Sequence, residues 1–269
     1  MNVIMSEHGK VTLTLHGLQA DNGLVRADAF LEKFRTLLES LKTADKFANG
    51  KKVHNYIVTG LKISSAQAQL SEKISVRKAA PVSSVELVRD TVNAVYNGEK
   101  KVDRFSVELI EALFPLVKNV GKNFSHGEIS FDASNVIRID DYLAKQFDKM
   151  TARLKGDDIP AARNFEGIAI GMFDGIIQEM DARGSLVRGK IILTAGGREI
   201  DCVFRRDDIE TLRASFDKHA RIEAIAHYDG ISLLPVRLDV RGIKVVKTNP
   251  DLIKWKGKLK RNTQKSEWS

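Results

Sequence analysis

Cysteine is almost missing from this chain. One residue in 269, Cys202, leaves no internal disulfide to form, which excludes the cross-linked scaffolds of small secreted proteins. Cys202 also alternates in phase with Ile200 and Phe204, so it reads as a small buried apolar residue and not as a nucleophile. Long apolar runs are missing too. No stretch reaches the roughly 18 residues that a membrane-spanning helix needs. The first ten residues, Met1 to Lys10, show no basic region leading into an apolar core, so no secretory signal is expected and the expected compartment is the cytoplasm. Aromatic residues make up only 7% of the chain.

Catalytic patterns are equally scarce. The six histidines are His8, His16, His54, His126, His219 and His227. None stand three to five residues apart, and no His-Glu-x-x-His pattern occurs, so no metal site is expected. No Gly-x-x-x-x-Gly-Lys-Ser/Thr loop is present to cradle a nucleotide phosphate. Gly167, Gly171 and Gly175 fall inside an expected strand, which is not where a dinucleotide fingerprint sits. Ser215 and Lys218 fit Ser-x-x-Lys without the companion motifs that give that pattern meaning. The pairs Asp140-Asp141 and Asp207-Asp208 stand at expected helix starts, and Asp157-Asp158 lies in an expected linker. Capping and solvation explain them. No cofactor and no catalytic residue is expected, and the chain reads as a non-enzyme.

What is present is pattern. The first half mixes strands and helices. Val11, Leu13 and Leu15 alternate in a strand that closes at Gly17. Phe30, Phe34, Leu37, Leu41 and Ala44 keep helical spacing across Arg26 to Phe47, with Asn49-Gly50 as a stop. Two strands follow, carrying Tyr56 and Val58, then Ala68 and Leu70, with an irregularity expected at Gly60. Ser83 and Glu86 have the spacing of a capping box before Val85, Val88, Val92 and Val95. Another amphipathic helix runs from Leu109 to Val120, and Pro115 inside it should kink it. Ile129 with Phe131, and Val136 to Ile139, read as short strands, and Leu143, Phe147, Met150 and Leu154 read as a last helix. The rhythm is not that of a doubly wound sheet, so a layered α+β unit over residues 1–155 is expected.

After the joint Lys155-Gly156-Asp157-Asp158-Ile159-Pro160 the period changes to two. Ile168 to Ile177, Lys190 to Thr194 and Glu199 to Arg205 read as three strands, with a glycine hairpin at Ala195-Gly196-Gly197-Arg198. A short helix starts at Asp207-Asp208, with Ile209, Leu212 and Phe216 facing inward to plug one end of a barrel. Ile222 to Ala226 and Val236 to Val245 complete five strands, the last with a bulge at Gly242. Residues 161–249 therefore resemble an OB-fold-like barrel, and the fold class is α+β. A different small barrel and a two-layer α+β unit remain the alternatives. The resemblance extends to no named family and implies no active site.

Charge separates the ends from the middle. The net charge is +8. Residues 1–160 carry 23 basic against 20 acidic side chains, residues 161–249 carry 14 against 13, and residues 250–269 carry 6 against 2. Half of the excess lies in a basic tail containing Lys254, Lys256, Lys258, Lys260 and Arg261 beside Trp255. Phosphate neutralisation dominates nucleic-acid affinity. The expected nucleic-acid contacts are thus those five tail residues with Lys190, Arg205, Arg206, Arg237 and Arg241 on the barrel. Tyr228 and Phe173 are the candidate stacking residues. Two function classes follow. One is a nucleic-acid-associated accessory factor. The other is a protein-interaction scaffold or regulatory subunit, its tail meeting an acidic partner.

Overall fold

A computed structural model of the chain describes residues 9–62, 66–75, 81–99, 107–131, 135–156 and 164–246. The basic tail, Trp255 and the stretch Asp157 to Pro160 of the expected joint lie outside the described residues. No described helix is long and apolar enough to cross a membrane.

The fold is α+β, with two sheets. The first sheet contains β1 (Lys10–His16), β2 (His54–Lys62), β3 (Gln67–Ile74), β4 (His126–Ser130) and β5 (Val136–Ile139). Its order is β2-β3-β1-β4-β5, antiparallel throughout. Val11, Leu13 and Leu15 of β1 point into one core, and Thr12, Thr14 and His16 point the other way, as the two-residue period requires. The strand pair β2/β3 slips register at Val58/Gly60, the expected irregularity.

Four helices share that core: α1 (Ala27–Asn49), α2 (Ser84–Tyr96), α3 (Val107–Leu113) and α4 (Asp141–Lys155). Ser83 caps α2, its hydroxyl accepting the Glu86 N–H at 3.2 Å. Gly50 and Gly156 end α1 and α4 with φ of 70° and 71°, where a side chain would be strained. Pro115 does not kink a long helix. It sits in a 3-10 turn, Phe114–Leu116, that ends α3. Nearby carbonyls find side-chain donors instead: Ser40 donates to Ala112 O at 2.9 Å and the buried Lys33 ammonium to Pro115 O at 2.7 Å.

The second sheet is a closed barrel. It contains β6 (Glu166–Asp181), β7 (Leu186–Leu193), β8 (Glu199–Arg205), β9 (His219–Asp229) and β10 (Arg237–Val245), with α5 (Ile209–Ser215) between β8 and β9. The ring order is β10-β8-β7-β6-β9. Ile191, Ile200, Cys202, Phe204, Ala224 and Leu238 fill its interior. Leu212 of α5 closes the end, as the helical stripe suggests. Phe216 does not follow it. Phe216 is 39% exposed because the helix stops at Ser215 and its backbone turns extended to bridge Ile177.

Candidate binding groove at the sheet–barrel boundary

The outer face of β8, β9 and β10 meets the first sheet and the ends of α2 and α4. Parallel pairing sets Arg237 beside Asp201 and Asp239 beside Val203. Arg237 and Asp239 stand on the same outer face, two residues apart. Both meet side chains from the first half. Arg237 Nη1 donates to Asp140 Oδ2 at 2.7 Å. Its guanidinium carbon lies 5.2 Å from the Tyr96 ring centre and 4.8 Å from that of Tyr142. Tyr96 donates its hydroxyl to Asp239 at 2.9 Å, and His227 Nε2 lies 2.8 Å from the same carboxylate. Tyr142 Oη is 3.0 Å from His227 Nδ1.

This cluster joins the end of α2 and the start of α4 to the barrel. Burial opposes the charge of Arg237, but Tyr96, Asp140 and Asp239 outweigh it and keep the guanidinium charged. Burial likewise pushes up the Asp239 carboxyl, and the His227 bond and the Arg237 charge more than reverse it. Burial raises both tyrosine hydroxyls, so they act as donors. Cys202 is fully buried and its thiol is pushed up by burial, which suits a packing residue.

Beside the cluster lies a groove of about 830 Å³. Arg205, Arg206 and Arg241 line one part of it, Asn93, Asn97 and Asn135 another, and Ile168 and Ile225 give it an apolar wall. Two residues beyond the Asp239–Val203 pair come Arg241 on β10 and Arg205 on β8. The register of β10 against β9 skips from Val240 to Gly242, so Arg241 is the extra residue of a bulge. A bulge frees one residue from the ladder and re-aims its side chain. Both arginines are exposed, and neither has an ion pair among the described residues. Arg206 donates to the carbonyls of Ala182, at 3.1 Å, and Gly184, fixing the turn after β6.

The other expected contacts fall elsewhere. Arg237, expected as a nucleic-acid contact, is 3% exposed and belongs to the cluster. Lys190 is on the barrel surface, paired with Glu179 at 3.1 Å and Glu199 at 3.8 Å. Tyr228 is half-buried, its ring edge-on to Phe165 at 5.3 Å, and Phe173 packs against the barrel core. The tail residues lie outside the described part.

Two features were missed by sequence spacing. The aromatic–acidic cluster joins residues as many as 143 positions apart. The β1/β4 register sets His16 opposite His126, with Glu128 on the same face. These three could hold a metal ion, their ligand atoms lying within 4.8 Å of one another. The signal available was the inward/outward phase of β1, which puts His16 with Thr12 and Thr14.

No protein-family model matches the chain, and no curated protein matches it. Among solved structures, an OBody, NL8, bound to hen egg-white lysozyme is similar at 11% identity and a TM-score of 0.24, over 30% of this chain and 97% of that one. A "putative aspartyl-tRNA synthetase from Leishmania major Friedlin" is similar at 10% identity and a TM-score of 0.23, over 37% of this chain and 26% of that one.

Proposed function

We propose that this chain is a non-enzymatic accessory factor that binds single-stranded nucleic acid in the groove, with the barrel acting as an OB-type module. The observation that carries the reading is that Arg205 and Arg241 are both exposed and line one groove without ion pairs among the described residues. Four other barrel arginines are neutralised locally: Arg183 by Asp181, Arg188 by Asp201, Arg213 by Glu210 and Arg221 by Asp174. Arg198 is also exposed without an ion pair among the described residues, but it does not line the groove. An unpaired arginine pair is a phosphate site, because a guanidinium bonds a phosphate through two parallel N–H groups. The amides of Asn93 and Asn97, which also line the groove, supply neutral donors and acceptors for sugar and base edges.

The position in the barrel supports the same reading. In OB-type barrels, oligonucleotides lie across the second and third strands and the loops joining strands one to two and four to five. Here those strands are β7 and β8, and Gly184, Ser185, Leu186, Val203 and Arg205 of that region line the groove. Among the described residues the aromatics lining the groove are Tyr96 and Phe204, and neither is exposed, so base stacking is weak and the phosphate contacts dominate. The lysines and Arg261 of the basic tail add to the positive charge available to phosphates.

Labelled single-stranded and duplex oligonucleotides test this. Wild-type protein should bind single strands at low salt, and Arg205→Glu with Arg241→Glu should abolish binding while leaving the melting curve intact. If no oligonucleotide binds tighter than about 100 μM, weaker even than ordinary non-specific binding, the reading fails.

A specific observation also favours a protein-interaction role. Ile168, Ile170 and Met172 form an outward stripe on β6, with Ile170 78% and Met172 71% exposed. Such a stripe suits a docked protein surface. Ile170→Asp should release a nuclease-resistant partner from the native assembly, and recovery of the chain alone under those conditions contradicts this role.

A further inference from the structure

We propose that His16, His126 and Glu128 form a site for a divalent transition-metal ion of the Zn(II) type, placed where the first sheet meets the barrel. The strand register brings them together. His16 and His126 are directly opposed in the β1/β4 ladder, and Glu128 follows two residues later on the same face. Two imidazoles and one carboxylate are a donor set suited to zinc, with a fourth position left for water.

Burial gives the site its second observation. His126 is 1% exposed. The Nε2 atoms of both rings are buried, and neither has a hydrogen-bond partner among the described residues. A buried nitrogen without a partner is costly, and two of them facing one carboxylate mark a missing ligand.

Glu128 is already oriented. Its Oε1 accepts the N–H groups of Ser185 at 2.8 Å and Leu186 at 3.1 Å, and its Oε2 accepts Ser185 at 3.0 Å. A carboxylate offers about four lone-pair sites, so Oε2 keeps one for an ion. Fixing a ligand through its other bonds is how proteins tune metal sites. The same bonds tie the barrel's Ser185–Leu186 turn to β4, so a bound ion would brace the sheet–barrel contact.

Two features oppose the site and set its terms. The rings are stacked, with centres 4.3 Å apart and planes 14° apart, so their in-plane lone pairs lie in nearly parallel planes. One ring must turn to converge on an ion, and His16, the less buried, is the one that turns. Arg138 is a nearby buried cation. Glu128 and Asp181 offset it, and Arg183 is held by Asp181 at 2.7 Å.

The test uses the full chain without a histidine tag, stripped with chelator and titrated with Co(II), then displaced with Zn(II). One equivalent of Co(II) should give the visible bands of a four-coordinate ion, and Zn(II) should raise the melting temperature. His16→Ala and His126→Gln should each lose the bound equivalent, and the exposed His219→Ala should keep it. Imidazole resonances of two histidines in the wild-type protein should shift on Zn(II) addition, which keeps the proposal testable if a variant misfolds. No bound equivalent, or one retained in both His16→Ala and His126→Gln, overturns it. The unpartnered nitrogens then belong to a buried water.

Discussion

Asp140 joins two parts of the chain through one carboxylate. Its Oδ1 accepts the Leu143 N–H at 3.2 Å and caps α4, and its Oδ2 lies 2.7 Å from Arg237 Nη1 on β10. Asp140→Ala removes the cap and leaves a buried guanidinium short of a counter-charge. Breaking a buried pair from one side costs about 3–5 kcal/mol. Urea unfolding should show a loss of that size. Arg237→Met added to Asp140→Ala should recover part of it, because the uncompensated charge is then gone.

The same pair shows what was legible in the sequence. Asp140 was readable as a helix cap, because caps are local, and α4 begins where that reading puts it. Its ion pair spans 97 residues and has no local signature. Arg237 was readable as an outward residue of an alternating strand, which it is, but it was also expected as a nucleic-acid contact, and it is buried instead. That the outward face is covered by Tyr96 and Tyr142 follows from packing, not from period. The five barrel strands, the bulge beside Gly242 and the inward Cys202 were legible because a two-residue period fixes which side a residue faces. Arg205 and Arg241 were named individually, but their neighbourhood depends on the β8/β10 pairing, which joins distant strands. Phe216 misled because a helical stripe was extended one residue past the helix end.

Asp45 should govern the acid limb of stability. It is fully buried and accepts from Val53 N at 2.8 Å, His54 N at 2.9 Å, Asn49 Nδ2 at 2.9 Å and faces His54 Nδ1 at 2.8 Å. Burial pushes its carboxyl up, but these bonds, led by the His54 N–H, reverse the effect and hold it below the usual range. Its folded value is therefore below its unfolded value of about 3.9. The contribution is fully present above that unfolded value and is lost as pH falls through the folded one. Unfolding free energy measured from pH 6 downward should fall more gently in Asp45→Asn than in wild type, from a lower starting value. Equal slopes below pH 4 contradict this.

Gly184 should tolerate no side chain. Its φ is +94°, and an added Cβ would meet Glu128 Oε1 and His16 Nε2. Gly184→Ala should cost about 1–3 kcal/mol from backbone strain, with further loss as the Glu128 bonds to Ser185 and Leu186 lengthen. A melt equal to wild type contradicts this.

A fragment of residues 161–249 should fold on its own. Its core residues, Ile177 to Val240, form one cluster inside the barrel. The fragment should give a β-type circular dichroism spectrum and one cooperative melt. It should be less stable than the full chain, because Arg237 and His227 lose Asp140, Tyr96 and Tyr142. A mainly helical or unfolded fragment contradicts the division.

The most direct measurement is the salt dependence of single-stranded oligonucleotide binding, by anisotropy, for wild type and Arg205→Ala/Arg241→Ala. Each phosphate contact contributes about 0.7 to the slope of log K against log salt for single strands. The double variant should bind more weakly at every salt concentration, with a slope shallower by about 1.4. An unchanged slope and affinity in the double variant would show that the Arg205–Arg241 groove is not where the nucleic acid lies.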